Sequence, residues 1–139
     1  MTTNVITAPF TVTASTTDNF DIFGAGVLTV SAGATVSGVI TAGDSTVGPN
    51  VLIDGTTLQS ILTSGGLQVD RSGGTADHTA VFPGGEELVF GGTSLNTVVG
   101  TGGLQAVFVT SAFGADILPA GSNLLAMALL LTLSLNRVA

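Results

Sequence analysis

The sequence predicts an all-β protein, a single-stranded parallel β-helix (β-solenoid) of four to five coils of 18–19 residues. Glycine pairs recur along the chain, and the intervals from Gly65 to Gly84 and from Gly84 to Gly102 are 19 and 18 residues, the length of one solenoid coil. The segments between the pairs are five to ten residues long and rich in Val, Thr, Leu and Phe, which is typical of short strands. The pairs are Gly65-Gly66, Gly73-Gly74, Gly84-Gly85, Gly91-Gly92 and Gly102-Gly103.

Residues 1–24 are predicted to form an N-terminal capping segment, because a terminal coil otherwise exposes a strand edge and an apolar interior. The alternation of apolar and polar residues from Val5 to Val12 indicates a strand. The alternative is an independent ligand-binding segment. The stretch has no basic start and no apolar core, so it does not resemble a Sec-type signal peptide. The apolar side chains available to a cap are Phe10, Phe20, Ile22 and Phe23.

Residues 25–110 are predicted to form the repeat domain. Units aligned at their glycines place an apolar residue in one column, where each copy buries against the next coil, and hydroxyl residues in two others. These columns are Leu62, Val81 and Val99; Ser60, Thr79 and Thr97; and Thr56, Thr75 and Thr93.

The other half of each unit contains a polar column, Gln68, Glu87 and Gln105. We expect this column to face water, with Leu67 and Val69 facing inward. Each coil is expected to turn at its glycines, because glycine takes positive φ without penalty and leaves room for strands stacked about 4.8 Å apart. Upstream, Ala25-Gly26, Ala32-Gly33, Ala42-Gly43 and Asp54-Gly55 are degenerate corners of the same kind.

Residues 111–139 are predicted to form an apolar C-terminal tail, whose most apolar stretch is the run 124–135, about 12 residues long. A membrane-spanning helix needs about 20, so this run is too short to span a bilayer alone. The favoured interpretation is a strand or helix that closes the last coil near Ala106 to Val109. With Pro119 before it and Arg137 after it, the run also loosely resembles a PEP-CTERM-like sorting tail, which would allow membrane contact through 124–135 only. A truncated end is the third alternative.

Composition excludes several function classes. The net charge is −7 with only two basic residues, Arg71 and Arg137, so no basic patch is available for nucleic acid. The chain has no cysteine, which excludes disulfides, thiolate zinc sites and thiol nucleophiles. Only 8% of the residues are charged, so the surface must be polar through Thr, Ser and Asn.

No catalytic, cofactor-binding or metal-binding residue is predicted, and no cofactor. His78 is the only histidine, and because its counterparts in other coils are Gln59 and Asn96, it is interpreted as a surface residue. Glu86 and Glu87 are adjacent in a strand, so they point to opposite faces and are interpreted as solvated charges. The aspartates do not follow the calcium-binding nonapeptide. They are Asp18, Asp21, Asp44, Asp54, Asp70, Asp77 and Asp116.

The pattern GGLQVDRSGGTADHTAVFPGGEELVFGGTSLNTVVGTGGLQAV, from Gly65 to Val107, resembles the AIDA-type repeat of bacterial adhesin and autotransporter passenger regions. The resemblance implies a parallel β-solenoid displayed at the cell surface and involved in adhesion, aggregation or biofilm. An autotransporter also carries a C-terminal membrane barrel, and 139 residues leave no room for one. The chain is therefore expected to be a fragment or a short relative.

Two function classes follow. The first is a secreted or cell-surface adhesive module, not an enzyme, whose faces or ends bind a host or sister-cell surface, carbohydrate or another copy. The alternative is a polysaccharide-acting β-helix enzyme or its carbohydrate-binding module, which the lack of Tyr and Trp disfavours. Ice binding is a minor third hypothesis, since the Thr56, Thr75 and Thr93 column lacks the Thr-x-Thr repeat.

Overall fold

The structure, a computed structural model, describes residues 2–43 and 48–108 and, as backbone, three further strands over 111–117, 122–126 and 132–134. Its strands form an eleven-stranded and a seven-stranded sheet. The first sheet contains β1 (Thr3–Ile6), β3 (Thr16–Gly24), β5 (Thr35–Gly43), β7 (Thr56–Thr57), β8 (Ser60–Leu62), β10 (Thr75–Asp77), β11 (Thr79–Val81), β13 (Thr93–Leu95), β14 (Val98–Val99), β16 (Ser111–Ile117) and β18 (Thr132–Ser134). The second contains β2 (Pro9–Val12), β4 (Val27–Val30), β6 (Val51–Ile53), β9 (Leu67–Arg71), β12 (Glu86–Phe90), β15 (Leu104–Phe108) and β17 (Ser122–Ala126).

Each strand pairs in parallel with its counterpart one coil away, which confirms the predicted β-solenoid. Glu86 of β12 lies beside Leu67 of β9 and Leu104 of β15, so the register shifts by one repeat unit per coil. Within residues 25–110 the second sheet has five strands, in agreement with the expected four to five coils.

The parallel ladders continue across both predicted domain boundaries. On the N-terminal side β1 pairs with β3 and β2 pairs with β4. Residues before 24 therefore contribute strands to both sheets, and β1 and β2 are the terminal strands at this end. On the C-terminal side β16 pairs with β13 and β14, and β17 pairs with β15. Ala106 of β15 lies beside Leu124 of β17, where the tail was expected to close the last coil.

Only parts of the run 124–135 lie within the described residues, at the end of β17 and in β18. No helix in the described part of the chain has the length and apolar character needed to cross a membrane.

The glycine pairs divide two tasks between their members. Gly73 has a φ of 86°, a left-handed conformation that side chains disfavour. At Gly74 an added Cβ would lie 2.1 Å from the carbonyl oxygen of Ile53 in the preceding coil, so only glycine lets the coils stack here. The other pairs repeat this division, with positive φ at Gly65, Gly84, Gly91 and Gly102 and close backbone approach at Gly66, Gly85, Gly92 and Gly103.

Between the glycine corners, the first sheet is interrupted at a polar residue. His78 separates β10 from β11 with a φ of 58°, and Asn96 has a φ of 54° between β13 and β14. Histidine and asparagine are among the side chains that enter the left-handed region most readily. These two residues of the polar column therefore mark a backbone kink in two successive coils.

The core is a set of columns that run along the solenoid axis. Leu62, Val81 and Val99 are fully buried and stack on one another, as predicted. In the N-terminal coils most buried side chains are apolar, and a separate cluster there includes Ile22 and Phe20. Phe10 and Phe23, by contrast, are each 46% exposed.

Candidate functional site

The solenoid interior changes from apolar to polar along the axis. In the second sheet the inward column begins with Leu28 and Val51 and continues with Gln68, Glu87 and Gln105. In the first sheet Val39 is followed at the same register by Ser60 and Thr79. All of these side chains are buried. The coils between Ser60 and Gln105 thus contain a polar interior section.

The expectation that Gln68, Glu87 and Gln105 face water is wrong, because all three are fully buried. Leu67 and Val69, expected inside, are half-exposed. The physical reason is the geometry of the corner: the second residue after a glycine pair points inward in every complete unit, whatever its polarity. The residues at that position are Gln68, Ala76, Glu87, Ser94 and Gln105. The number of residues after the glycine pair therefore predicts which side chains point inward, and in these strands it predicts this better than hydropathy does.

Glu87 is the centre of the polar section. Its Oε2 accepts hydrogen bonds from Gln105 Nε2 at 2.6 Å and Thr97 Oγ1 at 3.1 Å. Ser94 Oγ lies 3.3 Å from the same oxygen, and Gln68 Nε2 lies 3.4 Å from Oε1. Burial raises the pKa of Glu87, although its hydrogen bonds oppose that shift. The interpretation of Glu87 as a solvated charge is wrong, whereas Glu86 does point to the opposite face and is half-exposed.

Asp70 is the second buried acid of this section. Gln68 Nε2 donates to its Oδ1 at 3.1 Å, and its Oδ2 accepts no hydrogen bond from the described residues. Burial and the charge of Glu87 raise the pKa of Asp70 well above its usual range, against a lowering contribution from Gln68. Sequence reasoning missed this pair because Asp70 appeared to be one of several scattered aspartates.

The outer face of the first sheet has a stacked apolar column and two grooves. Ile40, Ile61, Ala80 and Val98 follow one another at the same register and point outward; we call them the outer apolar column. A groove of about 300 Å³ adjoins Ile40 and Ile61 and is also lined by Asn19, Asp21 and Gln59. A second groove of about 500 Å³ is lined by Ser15, Thr16, Thr17, Thr35, Ser37 and Leu58.

The other residues considered from sequence lie on the surface. The side chain of His78 is 63% exposed, as predicted, and its Nδ1 lies 2.8 Å from Asp77 Oδ1, to which Asn96 also donates. Arg71 pairs with Asp54 of the preceding coil. Thr56, Thr75 and Thr93 form the predicted column and are half-exposed. Within the described ranges, no three His, Cys, Asp or Glu side chains gather as a metal-binding group.

No protein-family model and no curated protein matches the sequence. Among solved structures, the crystal structure of the TibC-catalysed hyper-glycosylated TibA fragment matches with a TM-score of 0.77 over 91% of this chain, at 20% sequence identity. The two proteins share the fold. This chain spans 46% of the length of that fragment, or about half. Like the TibA fragment, it is a parallel β-solenoid, with no helix among its described residues.

Proposed function

We propose that the chain is an adhesive or structural module of a secreted or cell-surface bacterial protein of the adhesin or autotransporter-passenger kind. The observation that carries this proposal is the difference in side chains between the inside and the outside of the coils. Asp70 and Glu87 are buried inside the solenoid, while the outer face of the first sheet presents repeated neutral columns, such as Thr56, Thr75 and Thr93. The fold shared with the hyper-glycosylated TibA fragment supports the β-solenoid part of the proposal.

The outer face of the first sheet is the contact surface that we favour. Ile40, Ile61 and Val98 are 38–43% exposed and lie in one line across several coils. Apolar residues aligned in this way form a continuous strip, which marks an interaction surface more often than isolated exposed residues do. The adjoining grooves add amide, hydroxyl and carboxylate groups that suit hydrogen bonding to a cell surface, a glycan or another copy.

An enzyme is not favoured by this arrangement. A polysaccharide-acting site needs an acid and a base that both reach the substrate. The grooves on the first sheet contain one carboxylate, Asp21, together with amides, hydroxyls and aliphatic side chains. A non-catalytic carbohydrate-binding module remains the second candidate, because the hydroxyl-lined groove is accessible from outside.

The test uses beads coated with the protein, scored for bead clustering and for attachment to bacterial cells and to immobilised glycans. The variant Ile61→Lys/Val98→Lys interrupts the outer apolar column. Phe90→Lys is the matched control, since Phe90 is 62% exposed on the second sheet. We expect clustering or attachment by the wild type, strong loss in the double variant and little change in the control. Absence of any clustering or attachment by the wild type contradicts the proposed function, and equal loss in both variants contradicts the assigned face.

A further inference from the structure

Asp70 and Glu87 place two carboxyl groups inside the solenoid, and neither forms an ion pair with a basic side chain of the described residues. Both side chains are fully buried, on the neighbouring strands β9 and β12. The basic side chains of the described residues lie outside, where Arg71 is paired with Asp54 and His78 with Asp77. Two unpaired negative charges in a low-dielectric interior cost far more than a folded domain can offset. At least one of the two carboxyl groups must therefore be neutral.

The hydrogen bonds distinguish the two groups. Glu87 is surrounded by donors, since Gln105, Thr97 and Ser94 all lie within hydrogen-bond distance of its Oε2. These contacts stabilise a carboxylate. Asp70 receives one protein donor, Gln68 Nε2, at Oδ1. Gln68 Nε2 lies 3.1 Å from Asp70 Oδ1 and 3.4 Å from Glu87 Oε1, so one amide group lies between the two carboxyl groups, and Asp70 Oδ2 has no donor among the described residues.

We propose that Asp70 is held as a neutral carboxylic acid near the Glu87 carboxylate, so that the folded solenoid contains one structural proton. The proton is bound on folding and released when the coils open. The polar interior section is then a device that makes the stability of the solenoid depend on pH.

No other titratable group faces this pair from the described elements packed against it. The neighbouring strands β6 and β15 contribute Val51, Ile53, Gln105 and Val107 to the interior. The opposite wall contributes Thr79, Ser94 and Thr97, all hydroxyls. Glu86 and Arg71, the charged residues that adjoin the pair in sequence, point outward. The pH dependence therefore belongs to Asp70 and Glu87.

The direction in which stability changes with pH follows from the raised pKa of Asp70. Below the ordinary aspartate pKa, about 3.9, both the folded and the unfolded chain hold the proton and the contribution is complete. Between that value and the higher folded pKa, only the folded chain holds it. Stability is therefore lost as the pH rises through this window, with up to a tenfold increase in the unfolding equilibrium constant per pH unit. The raised pKa of Glu87 acts in the same direction.

The experiment measures urea unfolding as a function of pH for the wild type, Asp70→Asn and the control Glu86→Gln. The amide of the Asp70→Asn variant keeps the shape and neutrality of a protonated carboxyl group without a titratable proton, so we expect the loss of stability with rising pH to be much reduced in that variant and preserved in Glu86→Gln. A wild type whose stability does not fall above the ordinary aspartate pKa, or an Asp70→Asn variant with an unchanged slope, overturns the proposal. So does stabilisation of the wild type by calcium chloride that is lost in Asp70→Asn, because a cation would then neutralise the pair.

A second measurement does not depend on whether Asp70→Asn folds. Carbon-detected NMR of the wild type with labelled aspartate follows the protonation of each carboxyl group. We expect one aspartate to remain protonated far above the pH at which the exposed aspartates titrate. If all the aspartates titrate together in the folded protein, the structural proton is absent.

Discussion

Gln105 donates a 2.6 Å hydrogen bond from Nε2 to Oε2 of Glu87, its register partner in the neighbouring strand. The bond runs along the solenoid axis, inside the protein, between two fully buried side chains. It joins successive coils in the way that stacked apolar residues do elsewhere in the core. The difference is that a buried polar pair destabilises the fold when one member cannot form its hydrogen bond.

We expect Gln105→Leu to lower the free energy of unfolding by about 1–3 kcal/mol, because leucine fills a similar volume but leaves Glu87 short of a donor. Chemical denaturation followed by circular dichroism measures the change. Gln59→Leu is the control, since Gln59 is exposed. An unchanged midpoint for Gln105→Leu would show that the buried carboxylate does not depend on this bond.

The apolar column gives a sharper contrast between neighbours in one strand. Val81 is buried between Leu62 and Val99, whereas Ala80 points outward in the same strand. We expect Val81→Asp to unfold the middle coils, since a buried unpaired charge costs several kcal/mol, on the order of the stability of a whole domain. Ala80→Asp should melt close to the wild type. Similar melting of both variants would mean that the column does not hold the coils together.

The two glycines of one corner should respond differently to the same substitution. Gly74→Ala brings a Cβ against the Ile53 carbonyl and forces two coils apart, while Gly73→Ala adds only the cost of positive φ, about 1–2 kcal/mol. Gly73→Asn should be milder still, because asparagine tolerates this conformation. Melting temperatures in the order Gly73→Asn, Gly73→Ala, Gly74→Ala, from highest to lowest, would confirm the division. The reverse order of the two alanine variants would refute it.

The predictability of this fold from its sequence differs between the two halves of the coil. Leu62, Val81 and Val99 recur at the coil length in units aligned at their glycines, so their inward position could be predicted. The second half was misleading, because the apolar residues of β9, Leu67 and Val69, share one parity, whereas β12 has apolar residues of both parities. Hydropathy favoured Leu67 and Val69 as inward residues, and the structure buries their polar neighbours instead.

The acid pair could not be predicted for a related reason. Nothing in the sequence shows that Asp70 and Glu87, 17 residues apart, face the same interior space until the inward parity of both strands is known. Counting from the glycine pair supplies that parity for Glu87, and Asp70 follows because it lies two residues after Gln68. The surface position of His78 was predictable, since its column is polar in each coil, but the kink it allows was not.

Our fourth prediction is that the C-terminal strand β17 keeps the protein from associating end to end. β17 covers the edge of β15 with Leu124 beside Ala106. Deletion of residues 123–139 uncovers most of that edge, so another copy can add there as a further layer of strands. We expect end-to-end oligomers or fibres of folded protein in light scattering, with the full-length chain at matched concentration as the control. A truncated protein that stays folded and monomeric would show that this strand does not protect the edge.

Every pairing between the described strands is parallel, which gives the molecule a direction. Copies joined end to end in the same parallel register must bring unlike surfaces together. Such a heterologous contact has no two-fold axis. It leaves one N-terminal and one C-terminal end surface free on each assembly. Assembly along the solenoid axis therefore yields polar filaments of open length, whereas a closed two-fold dimer has to be built from the sides of the coils.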